Sequence, residues 1–448
     1  MIEKFKSGQQ YTKIVKAVTG DELTKIDSYN EEYRKMDCVK FVPASGAATR
    51  MFQNLYKYME DLQETDFIKI FFDNLDAFAF YDDLKPYITD FDDSSSESRV
   101  KLLESLLTSG LGYGKLPKAL LKVHKEGRNC VTPIDEHVYE AQQYLNPDKR
   151  RLHFTISKEH EALFCEYIKD YVHQGLEITY SFQKKETDTP AVNPDNTPFL
   201  LSDGQPLYRP GGHGALIENL NDIYADVIFI KNIDNVCHRD FVGQTIEWKK
   251  RLASIGYAVK AKIDRYLKLI HEGKYDLGEL RDFIECELNV KFKDGMDIIA
   301  ANKILDRPFR VCGVVANQGE PGGGPFVVDN GSYSDLQICE TAELDLANDA
   351  IKSILDGAAY FNPVDIVCFV RDYKGDKYDL SQYVNEDRYF ISKKSYEGRE
   401  LKALELPGLW NGAMHHWNTV FVEVPEITFN PIKTVNDLLK KGHCPAKK

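Results

Sequence analysis

Lys40-Phe41-Val42-Pro43-Ala44-Ser45-Gly46-Ala47-Ala48-Thr49-Arg50-Met51 is the stretch that decides the fold. A short apolar run ends in proline and gives way to small residues. Beyond them Met51, Leu55, Met59 and Leu62 recur at helical spacing. The pattern predicts a strand, a tight loop and a helix over 51–62. Small residues after a strand let backbone N–H groups approach phosphate oxygens. The helix start adds a partial positive charge and Arg50 a full one. The competing reading is a tight turn whose alanines pack helix on sheet. Nothing matches G-x-x-x-x-G-K-[ST], so this is not a Walker loop.

Further strands are expected at 150–157, 177–183, 225–230, 309–316, 336–339, 366–370 and 419–424. Helices are expected at 131–145, 245–270 and 276–288. The run Ala225-Asp226-Val227-Ile228-Phe229-Ile230 is nearly continuous in apolar residues, the pattern of a strand buried on both faces. Strands alternating with helices predict an α/β fold with a mixed, mostly parallel sheet and flanking helices. Residues 65–107 read as helical, broken by Asp92-Asp93-Ser94-Ser95-Ser96, and predict a helical insertion of about 56–112. The chain then divides into an N-terminal segment (1–35), an α/β core with the insertion (36–300) and a C-terminal part of the same core (301–448).

Composition narrows the class. Asp and Glu number 70 against 57 Lys and Arg, a net charge of -13 over 448 residues. That balance argues against nucleic acid as a partner. No apolar run approaches the ~18 residues of a membrane span, and the start lacks a signal-type apolar stretch, so a cytoplasmic protein is expected. Nine cysteines without a C-x-x-C pair read as reduced thiols rather than disulfides or a zinc site. The eleven histidines form no H-E-x-x-H, and His415-His416 sit adjacent, which suits packing better than one metal.

Four more segments carry possible chemistry. In Leu116-Pro117-Lys118 a lysine fixed after proline can present a point charge to phosphate. In Tyr208-Arg209-Pro210-Gly211-Gly212-His213-Gly214 three glycines imply a close backbone approach, either to a ligand or within a long turn. Asp234 follows a buried strand, where a carboxylate suits Mg²⁺ bridging phosphates or simply caps the strand end. Lys433 lies two residues after Pro431.

In order, these segments resemble the sugar-nucleotide pyrophosphorylases. Ala44 to Met51 is similar to their A-A-G-x-G-T-R-M signature, with Ala48 at the second glycine. Leu116-Pro117-Lys118 resembles the lysine motif that follows. Within that superfamily the likeness is to the UDP-N-acetylhexosamine type: Pro210 to Leu216 resembles P-G-G-N-G-G-L with His213 at the Asn, Asn232 to Asn235 their V-D-N, Gln337 to Glu343 their V-V-E-Y-S-E, and Phe429 to Lys433 their F-S-P-L-K. The whole chain also resembles an uncharacterised bacterial family, domain-of-unknown-function family 4301. Its hallmarks stand here as Leu116–Leu121, Leu152–Ser157, Glu320–Phe326 and Leu406–Met414.

The resemblance implies the nucleotide-diphospho-sugar transferase fold. It also implies Mg²⁺-dependent nucleotidyl transfer from a nucleoside triphosphate to a sugar 1-phosphate, with pyrophosphate leaving. Arg50, Lys118 and Lys433 are then the expected catalytic charges and Asp234 the metal ligand. Ala44, Ser45, Gly46, Ala47, Ala48, Thr49, Gly211, Gly212, His213 and Gly214 are the expected nucleotide contacts, and Glu340, Glu343 and Asn411 the sugar contacts. Lys231 is expected to join the phosphate-facing charges, and the Ala48 methyl to intrude where triphosphate passes. Two alternatives stay open: a sugar-nucleotide-binding protein without turnover, and a transferase with another phosphorylated acceptor.

Overall fold

The apolar run that ends in Pro43 is the strand Cys38–Pro43, and the helix after its loop is Gln53–Asp61, entered through a short 3-10 turn, Ala48–Arg50. The computed structural model describes residues 1–25, 29–46, 48–319 and 323–445. The chain divides into two units, each built from three separated segments. One comprises Met1–Val39, Gln183–Ile230 and Lys250–Val424, the other Lys40–Phe182, Lys231–Lys249 and Pro425–Lys448.

In the second unit the strands Cys38–Pro43, Arg151–Thr155 and Glu177–Ser181 lie in that order. The last two pair parallel, Leu152 opposite Ile178 and Phe154 opposite Tyr180. Pro133–Tyr144 is a helix whose start is fixed twice over: Thr132 and Asp135 form a capping box, and Pro133 occupies the first turn. The expected helical insertion contains Asp66–Asp73 and Ser96–Glu104, capped by the Thr65 and Ser95 hydroxyls. Its core is strongly aromatic. Phe71, Phe72, Phe78 and Phe80 are buried together with Met51, Phe52 and Leu55 of the first helical segment and with Ile432, Val435 and Leu438 near the C-terminus.

In the first unit the order is Asn418–Glu423, Phe309–Ala316, Tyr360–Phe369, Val227–Lys231. Phe309–Ala316 pairs parallel with Asn418–Glu423 and antiparallel with Tyr360–Phe369, so the sheet is mixed as expected. Val227–Lys231 is buried along its length, as its unbroken apolar run implies. Gly256 of the long helix Val242–His271 packs on Phe369; a Cβ there would lie 2.1 Å from its ring. A second, antiparallel sheet orders Ile14–Ala17, Gly323–Asp329, Tyr333–Glu340 and Lys291–Phe292. The sequence reading anticipated only part of Tyr333–Glu340 here. Nor did it foresee the hairpin Phe390–Tyr396 with Arg399–Glu405, whose turn uses positive φ at Glu397 and Gly398.

Lys231 does not join a phosphate-facing set. Its ammonium is buried and lies 2.9 Å from Glu140, which also faces the buried Lys40 at 3.5 Å. Burial pushes the Lys40 ammonium down to about 7, while for Glu140 the two lysines outweigh burial and hold the carboxyl far below its ordinary range. Glu140→Gln leaves these lysines without their shared counter-charge. It is expected to lower unfolding free energy by about 3–5 kcal/mol, read as a shift of the urea midpoint.

Candidate functional site

Asp234 lies three residues beyond the Val227–Lys231 strand, in a turn closed by Asn235 N–H to Asn232 O. Two backbone contacts fix the turn against the Asn430–Lys433 segment: Ile432 N–H donates to Asp234 O (2.9 Å), and Asn430 N–H donates to Asn235 Oδ1 (2.9 Å). The Asp234 side chain is nearly buried. Its Oδ2 accepts from Lys118 Nζ and Lys433 Nζ, both at 3.1 Å. Lys118 also donates to Ile432 O at 2.8 Å. The three residues that the sequence placed in separate motifs therefore meet at one oxygen atom. Burial opposes ionisation of Asp234, but Lys433 and Lys118 outweigh it and hold the carboxyl below the ordinary range.

The two lysines differ in setting. The Lys118 side chain is largely covered, whereas that of Lys433 is 63% exposed. Lys433 is held at its backbone: its N–H donates to Asp437, which also closes a capping box with Thr434. Val435 N–H donates to Met51 O and Asn436 Nδ2 to Phe67 O, so the helical insertion anchors the segment that carries Lys433.

The small-residue loop is tied to the same neighbourhood. Lys118 N–H donates to Gly46 O (3.3 Å), Ala48 N–H to Leu116 O (3.4 Å) and Ala44 N–H to Thr155 O (2.9 Å). The Ser157 hydroxyl donates to Ser45 O. A Cβ on Gly46 would meet nothing within 4 Å, so open space faces it. Ala48 is fully buried, with its methyl in the core beside Met51 and Phe52. This corrects the expectation that it obstructs a phosphate path. Thr49 and Arg50 are exposed and, with Gln53 and Tyr56, line a concavity of about 480 Å³. Ala47 lies outside the described residues, as do Glu320, Pro321 and Gly322 of the Glu320–Phe326 segment.

The donor chemistry around Asp234 bears on a metal. Among the described residues no group of three or more His, Cys, Asp or Glu could hold an ion. A lone carboxylate still suits Mg²⁺, which usually takes one or two carboxylates and completes its shell with water and substrate phosphates. Asp234 Oδ1 has no hydrogen-bond partner among the described residues and is the oxygen left for it.

The first unit holds a different set. His213 stacks on Trp410 with centroids 4.4 Å apart and planes 17° apart. Leu409 N–H donates to His213 Nδ1, so the ring proton sits on Nε2, which faces Glu340 Oε1 at 3.2 Å. Burial raises the Glu340 carboxyl, but His213, Arg388 and Trp410 together outweigh it and the net direction is down. Two of these glycines pack closely against the chain's own backbone. A Cβ on Gly211 would lie 2.6 Å from Thr187 O, and one on Gly214 2.2 Å from Pro407 O. Gly212 takes φ +79°, which favours glycine.

Glu343 and Asn411, expected at a sugar, are both essentially fully buried. Glu343 accepts from Arg388 at Oε1 (2.8 Å, Nε) and Oε2 (3.0 Å, Nη2), and from Asn411 Nδ2 at 2.9 Å. It also accepts the Glu340 N–H (2.7 Å). These hydrogen bonds hold Glu343 against Arg388, Asn411 and the Glu340 backbone, and Asn411 Oδ1 is buried with no hydrogen-bond partner among the described residues. Arg388 escaped the sequence reading. A lone arginine in Asn385-Glu386-Asp387-Arg388 carries no signal that it is the buried partner of a glutamate 45 positions earlier. Trp410 lies within the Leu406–Met414 segment, whose sequence carries no signal that it stacks on a histidine 197 positions earlier.

The mixed sheet with flanking helices and the antiparallel side sheet define a nucleotide-diphospho-sugar transferase fold. The structure is similar to a UDP-glucose pyrophosphorylase mutant from Leishmania major in complex with UDP-glucose (TM-score 0.50, 14% identity, 98% of this chain and 73% of that one). It is also similar to a UDP-glucose phosphorylase from Trypanosoma brucei (TM-score 0.49, 14% identity, 98% and 72%). The chain belongs to the family described as Domain of unknown function (DUF4301), whose sequence profile matches residues 2–444. No curated protein matches it by sequence. No helix among the described residues is long and apolar enough to cross a membrane, and no disulfide forms among the described residues.

A pH prediction follows from Asp234. Its folded-state pKa is lowered, so its contribution to stability is present above the unfolded value of about 3.9 and is lost as pH falls through the folded value. Asp234→Asn is expected to have a shallower acid limb than the parent. Urea midpoints followed from neutral pH down into the acid limb should converge between the two proteins.

Proposed function

We propose that the protein is a sugar-1-phosphate nucleotidyltransferase of pyrophosphorylase type. An oxygen of a phosphorylated sugar attacks the α-phosphorus of a nucleoside triphosphate in line. The new P–O bond forms as the bond to the β-phosphate oxygen breaks, and pyrophosphate leaves with that electron pair. Such chemistry needs positioning and charge neutralisation rather than a covalent nucleophile. The observation that carries this assignment is the single Asp234 oxygen 3.1 Å from both Lys118 and Lys433. Two ammoniums on one carboxylate leave a net positive charge in a chain of -13, which suits phosphate.

Lys433, the exposed member, engages a phosphate of the nucleotide or acceptor. Lys118 is held at Ile432 O and keeps Asp234 ionised. Arg50 and the backbone of Ala44–Thr49 hold the leaving phosphates, and Ala48 contributes only its backbone. Asp234, together with the substrate phosphates, would hold Mg²⁺, which when bound withdraws charge from phosphate oxygens. Gly211, Gly212, His213 and Gly214 are assigned to the nucleotide. Glu340, oriented by His213 and by the Glu343–Arg388–Asn411 network, is assigned to sugar hydroxyls. On this reading 36–300 is the nucleotide part with its insertion and 301–448 the acceptor part. The identity of neither base nor sugar follows from these groups.

The test is pyrophosphate release from UTP, CTP, ATP, GTP and dTTP, each with Mg²⁺ and a panel of sugar 1-phosphates and alditol phosphates. At least one pair is expected to turn over. Lys433→Ala and Asp234→Ala should each lower kcat/KM on the order of 100-fold while the far-UV circular dichroism stays that of the parent. Wild-type-like turnover in both variants would overturn the site assignment. Thermal stabilisation by a nucleotide with no pyrophosphate from any pair would favour a binding protein without turnover.

A further inference from the structure

The first unit contains a cavity of about 780 Å³ lined by none of the residues assigned to phosphate, metal, nucleotide or sugar contact. Arg307, His415 and His416 line it, and they directly precede the strands Phe309–Ala316 and Asn418–Glu423. Tyr333, also in its wall, begins the Tyr333–Glu340 strand whose far end carries Glu340. Seven residue steps separate the two, about 23 Å at the usual rise. Ligands of open α/β sheets sit beyond the carboxyl ends of strands, and this cavity lies at the opposite ends. Its volume is within the range of small-molecule sites.

Arg307 is the telling residue. It is 5% exposed. Its Nε donates to Lys303 O (2.9 Å) and its Nη1 to the Tyr333 hydroxyl (3.1 Å), both neutral acceptors. Among the described residues it has no ion pair. A buried guanidinium without a counter-ion is costly, and arginine is suited to bidentate binding of phosphate and carboxylate. Nearby acids hydrogen-bond elsewhere: Asp306 accepts from the Tyr378 hydroxyl, Asp329 from Lys293, and Asp335, buried, from Asn330 and Gln337, so that Arg307 acts on Asp335 only through its field, without an ion-pair contact. Asp387, the remaining acid in the wall, is exposed. Lys303 and Lys13 add exposed positive charge, and Arg388 in the same wall is neutralised by Glu343. Burial, reinforced by Arg307, Lys303 and Arg388, pushes the His416 ring down to about 4, in keeping with a positive field across the cavity.

We propose that this cavity binds a small organic oxyanion, a phosphate ester or a carboxylate, with Arg307 as its principal partner and Lys303 at its mouth. The site has a route to the Glu340 set, because Arg388 both lines the cavity and clamps Glu343, which holds Glu340 N–H and Asn411. An anion there therefore acts as an effector rather than a substrate. Anion binding does not depend on the nucleotidyl-transfer assignment, whereas the effector role rests on it through Glu340.

Calorimetric titration of the full chain with glucose 6-phosphate, and separately with malonate, tests it. At least one is expected to bind saturably. That binding should weaken by about tenfold or more in Arg307→Gln, the loss of one charge-assisted contact. It should also weaken in Lys303→Glu, an exposed change that spares folding, and it should persist in a Lys118→Ala/Lys433→Ala double variant. Absence of saturable binding by both probes overturns the proposal. So does binding that survives Lys303→Glu and disappears in the double variant, because the anion then sits at the phosphate-facing lysines.

Discussion

A carboxylate withdrawn from water must be compensated, and the buried carboxylate of Asp234 is compensated by two ammoniums from residues 116 and 199 positions away in sequence. Each contact alone is an ordinary ion pair. Together they do more, because Lys118 also bonds Ile432 O and Ile432 N–H bonds back to Asp234 O. Side chains and backbone thus close a ring among three stretches of chain. The ring carries an excess of one positive charge, with Lys433 on its open side. The more buried lysine keeps both its partners, Asp234 and Ile432 O, whereas Lys433 is bound at its ammonium by Asp234 alone among the described residues.

The aromatic insertion gives that ring its footing. Residues 66–107 bury their phenylalanines and leucines against the helix following the small-residue loop and against Ile432, Val435 and Leu438. Hydrophobic burial of this kind fixes position without direction, and direction comes from hydrogen bonds to Met51 O and Phe67 O. An insertion that reads as an embellishment in sequence is thus what holds the C-terminal lysine in place. The same packing explains Ala48. In a loop judged by glycine count its methyl looks like an obstruction, yet it points into the core.

The first unit follows a similar logic with different chemistry. Glu340 faces a histidine whose tautomer is set by a backbone N–H and whose ring is braced by Trp410. Behind it, Glu343 satisfies Arg388, Asn411 and the Glu340 N–H at once. Buried polar groups of this kind are sustained only when nearly every donor finds an acceptor. Glu343 meets that requirement, and Asn411 meets it at Nδ2, while its Oδ1 has no hydrogen-bond partner among the described residues. Gly211 and Gly214 belong to the same account, since the chain's own Thr187 and Pro407 fill the space a side chain would take.

By itself the sequence determined the alternation of strands and helices, because periodicity and caps are local: Phe309–Ala316 has the bounds its apolar run implies, and Thr132-Pro133 starts its helix as its residue types require. It also singled out Lys118, Asp234 and Lys433, through their neighbours and their resemblance to a known order of motifs. Only the tertiary structure decided which charges meet. Lys231 and Lys433 look alike in sequence, each near a strand end or a proline, yet one is sealed against Glu140 and the other opens to solvent beside Asp234. The same holds for Arg307 and Arg388, two buried arginines of which one has a carboxylate and the other has none among the described residues. Charge pairing depends on distances between residues far apart in the chain, and no local pattern encodes those distances.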